Sequence, residues 1–394
     1  GTVNAVAQVI CEIGGRFNLG REEQTAVNQM AASMMQISRN LRISMVDGEN
    51  KPEQSIIENY VFITDESRKI DDLFTWEFDV NKHDKATLRS VLGRLFESMF
   101  NLSEIQVSQK TLAAFIREAE KHYHDNPFHN FYHITCVTHF SYMLITSTNG
   151  KELLEQNMYY IFSIMASAVV HDIDHPGNSN LFEINSKSEL ALLYNDQSVL
   201  ENHHCSMAFR IMRYNNTDIL GDMPPNAHKD VKKTIVSCIL ATDMSVHFEL
   251  IDKIKKKVSD GWDMTEPGDI FFYCRIMLHA ADLSNPVRPF VLSKLWASRI
   301  SAEFNSQVEV EKKLGLPVLG FMITPDEKTL CKNEIGFASF VVAPMWRNLE
   351  LLFPAFKPLV QQLNSNLDQW KATLDTIVKE EESAKMNEGS TTDV

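Results

Sequence analysis

Two histidines and two aspartates fall within five residues, His171-Asp172-Ile173-Asp174-His175, directly after the largely apolar run Ile164 to Val170. A chain that drives such a run into its interior must give each polar group a partner, because imidazole and carboxylate lose hydration on burial. A divalent metal ion is such a partner, and imidazole with carboxylate suits zinc and similar ions. His171 and His175 lie at i and i+4, and Asp172 is placed to bridge two ions. Upstream, His129 and His133 repeat the i, i+4 spacing in His129-Asn130-Phe131-Tyr132-His133, so on a helix they share a face. Downstream, Asp282 stands between the apolar Ile276-Met277-Leu278 and a Ser-Asn-Pro turn. A lone aspartate before such a turn is an ordinary cap, and a helical histidine pair is an ordinary surface feature. Only the combination, His then His-Asp then a distant Asp, reads as a ligand set.

The rest of the chain gives that set a helical frame. Apolar residues recur at intervals of three and four, as in Leu88, Val91, Leu92, Leu95 and Phe96, then Leu112, Phe115, Ile116 and Ala119. Strand alternation is weak nearly everywhere. Loops are marked at Pro127, Pro176-Gly177, Pro224-Pro225, Pro267-Gly268, Pro286 and Pro289. The expected fold is all-α, many helices with short connections. Hydrophobic residues make up 44% of the 394, enough for a large core. Residues 1–60 read as a helical extension and linker, with an amphipathic stretch from Glu22 to Met45; 61–378 read as the catalytic domain and 379–394 as a disordered tail.

Lys plus Arg number 38 against 52 Asp plus Glu, a net charge of −14, which argues against broad nucleic-acid binding. No stretch has the apolar length of a membrane span, and no signal segment opens the chain. The six scattered cysteines form no C-x-x-C pair and read as reduced thiols of a cytoplasmic protein. The first residue is Gly1 rather than Met, which leaves room for an upstream regulatory domain; the oligomeric state is open.

A second polar cluster is Glu201-Asn202-His203-His204 in a helical context. Glu201 is a candidate acceptor for metal-bound water, and His203 and His204 are candidate orienters of the ligand carboxylates. His83, His122, His124, His139, His228 and His247 have no comparable company.

From about Phe74 to about Ile377 the chain resembles the catalytic domain of the class I cyclic-nucleotide phosphodiesterases, an HD-type metal-dependent phosphohydrolase. The resemblance rests on His129-Asn130-x-x-His133, His171-Asp172-x-Asp174-His175-Pro176-Gly177, Ser188 to Ala191 with Tyr194 to Asp196, Ser198 to His204, Ala241 to Met244, Ala281 to Pro286, and Gly336-Phe337. It implies zinc on His133, His171, Asp172 and Asp282. It also implies a second ion, magnesium or manganese, touching the protein through Asp172 and otherwise through waters held by His175, Glu201 and Thr242. The implied reaction is attack of a bridging hydroxide on a 3',5'-cyclic nucleotide. His129 would be the proton donor to the leaving 3' oxygen, Glu303 beside it, and the product a nucleoside 5'-monophosphate. Phe337 and Ile300 would clamp the purine, Phe304 and Met244 would line the pocket, and Asn285 would hydrogen-bond the base edge. The Asn285 context leans towards cyclic AMP, with cyclic GMP open as a second substrate. Another metal phosphohydrolase and a non-catalytic nucleotide sensor are the alternatives.

Two positions depart from the family pattern. Glu334 stands where a glutamine is usual, three residues before Phe337. An ionised carboxylate only accepts hydrogen bonds, whereas an amide also donates, so base recognition should change. Val308 and Glu309 stand where the family usually has Gly-Asp, which predicts a differently shaped loop.

Overall fold

The computed structural model describes residues 63–389 except 154, 156, 157 and 215. Among the described residues all regular elements are helical, as the spacing requires. The expectations for residues 1–60 lie outside the described residues. The longer helices are α1 (Lys85–Met99), α2 (Gln109–Lys121), α3 (Phe131–Ser147), α4 (Met158–Val170), α5 (Asn180–Ser186), α6 (Val199–Ile211) and α7 (Pro225–Leu240). They continue as α8 (His247–Asp260), α9 (Pro267–Asp282), α10 (Phe290–Leu314), α11 (Glu327–Phe337), α12 (Ala343–Leu352) and α13 (Lys357–Gly389). No single described helix is long and apolar enough to cross a membrane.

Helix α4 is the hub. Every residue from Ile161 to Val170 is buried, so this helix is apolar on all sides and must be surrounded. It packs against α3, α7 and α9. Its two buried serines spend their hydroxyls on their own helix, Ser163 on Tyr159 O at 2.7 Å and Ser167 on Ser163 O at 2.6 Å, so they add no unpaired polar group. The His171 run begins where α4 ends, at the centre of the molecule.

Start signals set the register of the neighbours. Asp84, Ser108 and Asn130 cap α1, α2 and α3 by accepting from backbone N–H groups of the first turn. Pro225 and Pro267, which mark breaks in the sequence, turn out to be the first residues of α7 and α9. A proline there lacks only an N–H that the helix does not need.

A second packing centre joins α10, α11 and α13: Ala297, Leu330, Cys331 and Trp370 are buried, with Phe290, Ile335, Leu374 and Ile377 against them. The differently shaped loop expected at Val308-Glu309 is instead continuous helix, because Val308 is buried within α10. That helix ends at Gly315, whose φ of 68° is the left-handed stop that favours glycine. Of the stretch expected as a disordered tail, residues 379–389 are helical and 390–394 lie outside the described residues. α13 runs on through Gly389, and Lys328 of α11 pairs with Glu381 on it. The charged Lys379-Glu380-Glu381-Glu382 that opens this stretch is also good helix-forming sequence.

Candidate active site

Three helices deliver four side chains to one point. His133 sits in the first turn of α3, His171 and Asp172 follow the end of α4, and Asp282 is the last residue of α9. One donor atom from each lies within 4.8 Å of all the others. His133 Nε2 is 3.2 Å from Asp172 Oδ2 and 3.1 Å from Asp282 Oδ1. His171 Nε2 is 3.1 Å and 3.4 Å from the same two oxygens. His171 Nδ1 donates to Ala168 O at 3.0 Å, which turns Nε2 towards the carboxylates. A neutral imidazole would then present a lone pair to two anionic oxygens, which is repulsive unless a cation lies between them. Burial pulls the His171 pKa down, but Asp172 and Asp282 override it and hold it well above the usual imidazole range. Burial pushes both aspartates up, and the facing histidines more than reverse this, leaving Asp172 well below and Asp282 below the carboxylate range. The same field that traps a proton would trap a divalent ion, and the His2Asp2 donor set fits one.

Beside this pocket, His129 lies just ahead of the Asn130 cap. Its Nδ1 donates to Glu303 Oε1 of α10, while Glu303 Oε2 accepts from the backbone N–H of Phe128 at 2.8 Å and of His129 at 3.1 Å. Burial would lower the His129 pKa, but the Glu303 charge and hydrogen bond raise it above the ordinary value. Glu303 is held below its own range by the same contact, against the upward push of burial. The Glu303 contact therefore favours the imidazolium form of His129, which carries a proton on Nε2. Its ring stacks on His175, centroids 3.9 Å apart and planes 10° from parallel. Two stacked imidazoliums would repel. His175 avoids this because burial and the His129 charge drive its pKa well down. Its Nδ1 accepts from Gly177 N–H at 3.0 Å, so its proton sits on Nε2. Gly177 has φ +82°, and a Cβ there would come 3.0 Å from Asn126 Oδ1. Asn126 in turn donates to His129 O at 3.0 Å and His175 O at 2.8 Å, tying the two loops together.

A second group, Asp172, His175 and His204, also has donor atoms within 4.8 Å and shares Asp172 with the first. His204 donates from Nδ1 to Ile173 O at 2.7 Å, leaving Nε2 3.8 Å from Asp172 Oδ1. Burial lowers its pKa to about 4, so the ring is neutral. Both carboxylate oxygens of Glu201 accept from Asn180 Nδ2, at 3.2 Å and 2.9 Å. Burial and the nearby Asp243 raise it to about 7. Thr242 is buried and donates its hydroxyl to Ile239 O at 2.8 Å.

Several residues stand elsewhere than the sequence suggested. Asp174 leaves the cluster: its φ of 61° rotates it away, and it accepts from His203 at 2.8 Å and His124 at 2.7 Å. His203 therefore orients Asp174 rather than a cluster carboxylate, and His124 has the company it was denied. Asn126, Asn180 and Asp243 carry no sequence signal of their own, since each is an ordinary polar residue in a turn or helix until its distant partner is known.

Helix α10 meets His129 through Glu303, and α11 packs on α10. Ile300, Glu303 and Phe304 lie at i, i+3 and i+4, so the face that meets His129 through Glu303 also presents Ile300 and Phe304. Phe304 meets Phe321 edge-on at 6.1 Å. Glu334 and Phe337 lie one turn apart on α11, and Glu334 is buried. Asn285 begins a short helical turn just past Asp282, and Met244 begins another, 45% exposed, just past Thr242 and Asp243. The Asn285 amide and the Phe337 ring make no hydrogen bond or ring contact among the described residues.

Residues 128–363 match the 3'5'-cyclic nucleotide phosphodiesterase family. Similar proteins include the high affinity cGMP-specific 3',5'-cyclic phosphodiesterase 9A of Homo sapiens, 33% identical over 285 residues, covering 72% of this chain and 47% of that protein. The 3',5'-cyclic-AMP phosphodiesterase 4C of Mus musculus is 31% identical over 322 residues, covering 78% of this chain and 46% of that protein. This chain thus spans about half the length of these relatives. Among solved structures, the phosphodiesterase domain of Salpingoeca rosetta rhodopsin phosphodiesterase superimposes with a TM-score of 0.76 at 36% identity, over 81% of this chain and 97% of that one.

Proposed function

We propose, from the premise that this chain belongs to the class I 3',5'-cyclic nucleotide phosphodiesterase family, that it hydrolyses cyclic AMP, with cyclic GMP as a second substrate, to the nucleoside 5'-monophosphates. The observation that carries the reading is the stacked pair: a cationic His129 held by Glu303 beside a buried His2Asp2 pocket, a proton donor next to an anion-neutralising centre.

His133, His171, Asp172 and Asp282 would hold a zinc ion. The four nitrogen–oxygen separations run from 3.1 to 3.4 Å, close enough for all four side chains to share one divalent ion. Asp172 would be shared with a second ion, magnesium or manganese, whose waters His175, Glu201 and Thr242 would hold. When bound, the two ions supply positive charge for the phosphoryl oxygens and acidify the attacking water. His129 gives its Nε2 proton to the leaving 3' oxygen, and Glu303 keeps that proton available by stabilising the imidazolium. Neutral His175, stacked beneath, adds no competing charge. Phe337 and Ile300 would sandwich the base, Phe304 and Met244 would close its sides, and Asn285 and Glu334 would face its hydrogen-bonding edge. The five described cysteines are free and buried, which supports a reducing, cytoplasmic setting.

Release of 5'-AMP and 5'-GMP from the cyclic nucleotides, measured alongside metal content, tests the reading. A metal-loaded protein that releases neither would end it.

A further inference from the structure

Helix α10 carries a row of three buried polar side chains. Glu303, Gln307 and Glu311 lie at i, i+4 and i+8, so they share one face, and all three are buried. Burying amide and carboxyl groups destabilises a fold unless each finds a partner. Glu303 has His129 and the N–H of Phe128. Gln307 reaches a different loop. Its Oε1 accepts from the Ser179 N–H at 2.8 Å, and its Nε2 donates to Ser179 Oγ at 3.1 Å and to Glu311 Oε1 at 2.8 Å. A backbone donor on one side and a carboxylate on the other admit only this orientation of the amide. Glu311 holds that orientation at a cost, since among the described residues its buried Oε2 has no hydrogen-bond partner. Val308 and Glu309, where the sequence departs from the family pattern, lie between the two and leave both contacts intact.

The segment that Gln307 grips leads into the second cluster, Asp172, His175 and His204. His175 lies four residues before Ser179, on the same loop. Asn180, the residue after Ser179, crosses to α6. Its Oδ1 accepts from the Leu200 N–H at 2.8 Å, and its Nδ2 donates to both oxygens of Glu201. This contact replaces a missing cap. Ser198 stands at the head of α6 in a left-handed conformation, φ 39°, and makes no capping bond. Its hydroxyl goes instead to Asp243 Oδ2 at 2.6 Å. Asn180 therefore caps α6 from outside, and α6 carries Glu201 and His204. The rings of His175 and His204, on the two elements that Asn180 joins, lie 5.5 Å apart and 19° from parallel.

We propose that Gln307 is a positioning residue for the second ion: it fixes Ser179 and Asn180, and through them the placing of Glu201 and His204 opposite His175 and Asp172. This rests on the two-ion reading above. Groups behind the ligands govern metal affinity because they fix the direction in which lone pairs and hydrogens point. Glu311 sets the amide, Gln307 sets the loop, and Asn180 carries the constraint to α6. The first ion site is insulated from this chain of contacts. Its four residues come from α3, the end of α4 and α9, and the hydrogen bonds of Gln307 go to Ser179, Glu311 and Met322.

The deciding measurement is manganese binding by the zinc-loaded full chain, read from the paramagnetic resonance signal of free manganese, with zinc content determined alongside. Gln307→Met keeps the length of the side chain and removes both hydrogen-bonding ends. It should weaken manganese binding about tenfold and leave zinc content unchanged. Hydrolysis should fall at limiting manganese and recover at saturating manganese. Glu311→Gln, which still offers Gln307 an oxygen, should bind manganese as the unmodified protein does. On an Asn180→Ala background, Gln307→Met should cost less than it does alone, because both changes cut one chain of contacts. Should Gln307→Met fail to fold, Gln307→Asn, which withdraws the same amide by one methylene, is judged by the same outcomes. Unchanged manganese affinity, equal loss of zinc and manganese, full additivity with Asn180→Ala, or an unmodified chain that takes zinc and no manganese overturns the inference. A chain that binds both ions with these sensitivities and hydrolyses neither nucleotide strikes the proposed function and leaves the inference standing.

Discussion

The floor of the site and its wall are built on opposite principles. On the floor, formed by the ends of α3, α4 and α9, most histidines are oriented by a specific neighbour. His171 is turned by Ala168 O, His204 by Ile173 O, His175 by Gly177 N–H and His129 by Glu303. On the wall, formed by α10 and α11, the helices are fixed by an apolar core, and Glu334 and Phe337 make no hydrogen bond, ion pair or ring contact among the described residues. The lesson is a division of labour. Chemistry needs protonation states that do not wander, so the floor is over-determined. Recognition needs groups whose hydrogen bonds are still unspent, and Glu334 on the wall and Asn285 in the turn before it are such groups.

Substitutions can break or sharpen that contrast. The largest effect belongs to the floor: Asp172→Asn, which touches both candidate ion sites, should reduce hydrolysis of both nucleotides to background and lower bound metal. Near-normal metal content and turnover, by metal analysis and product release, would show that the two clusters are not the reaction centre. Next, His129→Ala should lower kcat by about 10²–10⁴, equally for both substrates, with metal content unchanged. Retained turnover would remove its proton-donor role. On the wall, Phe337→Ala should raise KM rather than lower kcat, by about 1–3 kcal/mol of lost stacking. A pure kcat defect would mean the wall and floor are not separate. The smallest and sharpest change is Glu303→Gln. The carboxylate holds the His129 pKa up against burial, so its removal lets that pKa fall and His129 lose its proton at lower pH. The alkaline limb of kcat/KM should move to lower pH for both nucleotides, leaving their ratio untouched. An unmoved limb would mean that a different group controls the proton.

Much of the floor was readable in the sequence because its residues are locally dense. His171 to His175 put so much polarity against an apolar run that a compensating ion was the natural reading, and the i, i+4 spacing of His129 and His133 aligned them before any fold was known. Helical class was equally legible from the three- and four-residue recurrence. The errors came where one pattern admits two outcomes. Asp172 and Asp174 are alike in the sequence, and only a left-handed backbone at Asp174 sends it to His124 and His203. Charged Lys-Glu sequence near the C-terminus serves a tail or a helix, and residues 379–389 are helical, with Glu381 paired to Lys328 of α11. Prolines at 225 and 267 mark breaks, and whether they close one element or open the next depends on the chain that follows.

By itself the sequence determined the inventory: a helical chain carrying donors of the types that hold divalent ions, in an order that only a folded core could unite. Tertiary structure decided the states of those donors. His129 is a cation because Glu303, 174 residues away, lies against its ring, and His175 is neutral because it stacks on that cation. Glu334 is poised between charge and neutrality because helices distant along the chain exclude water from it. Protonation depends on burial and on through-space charge, and neither distance nor depth is written in the order of residues.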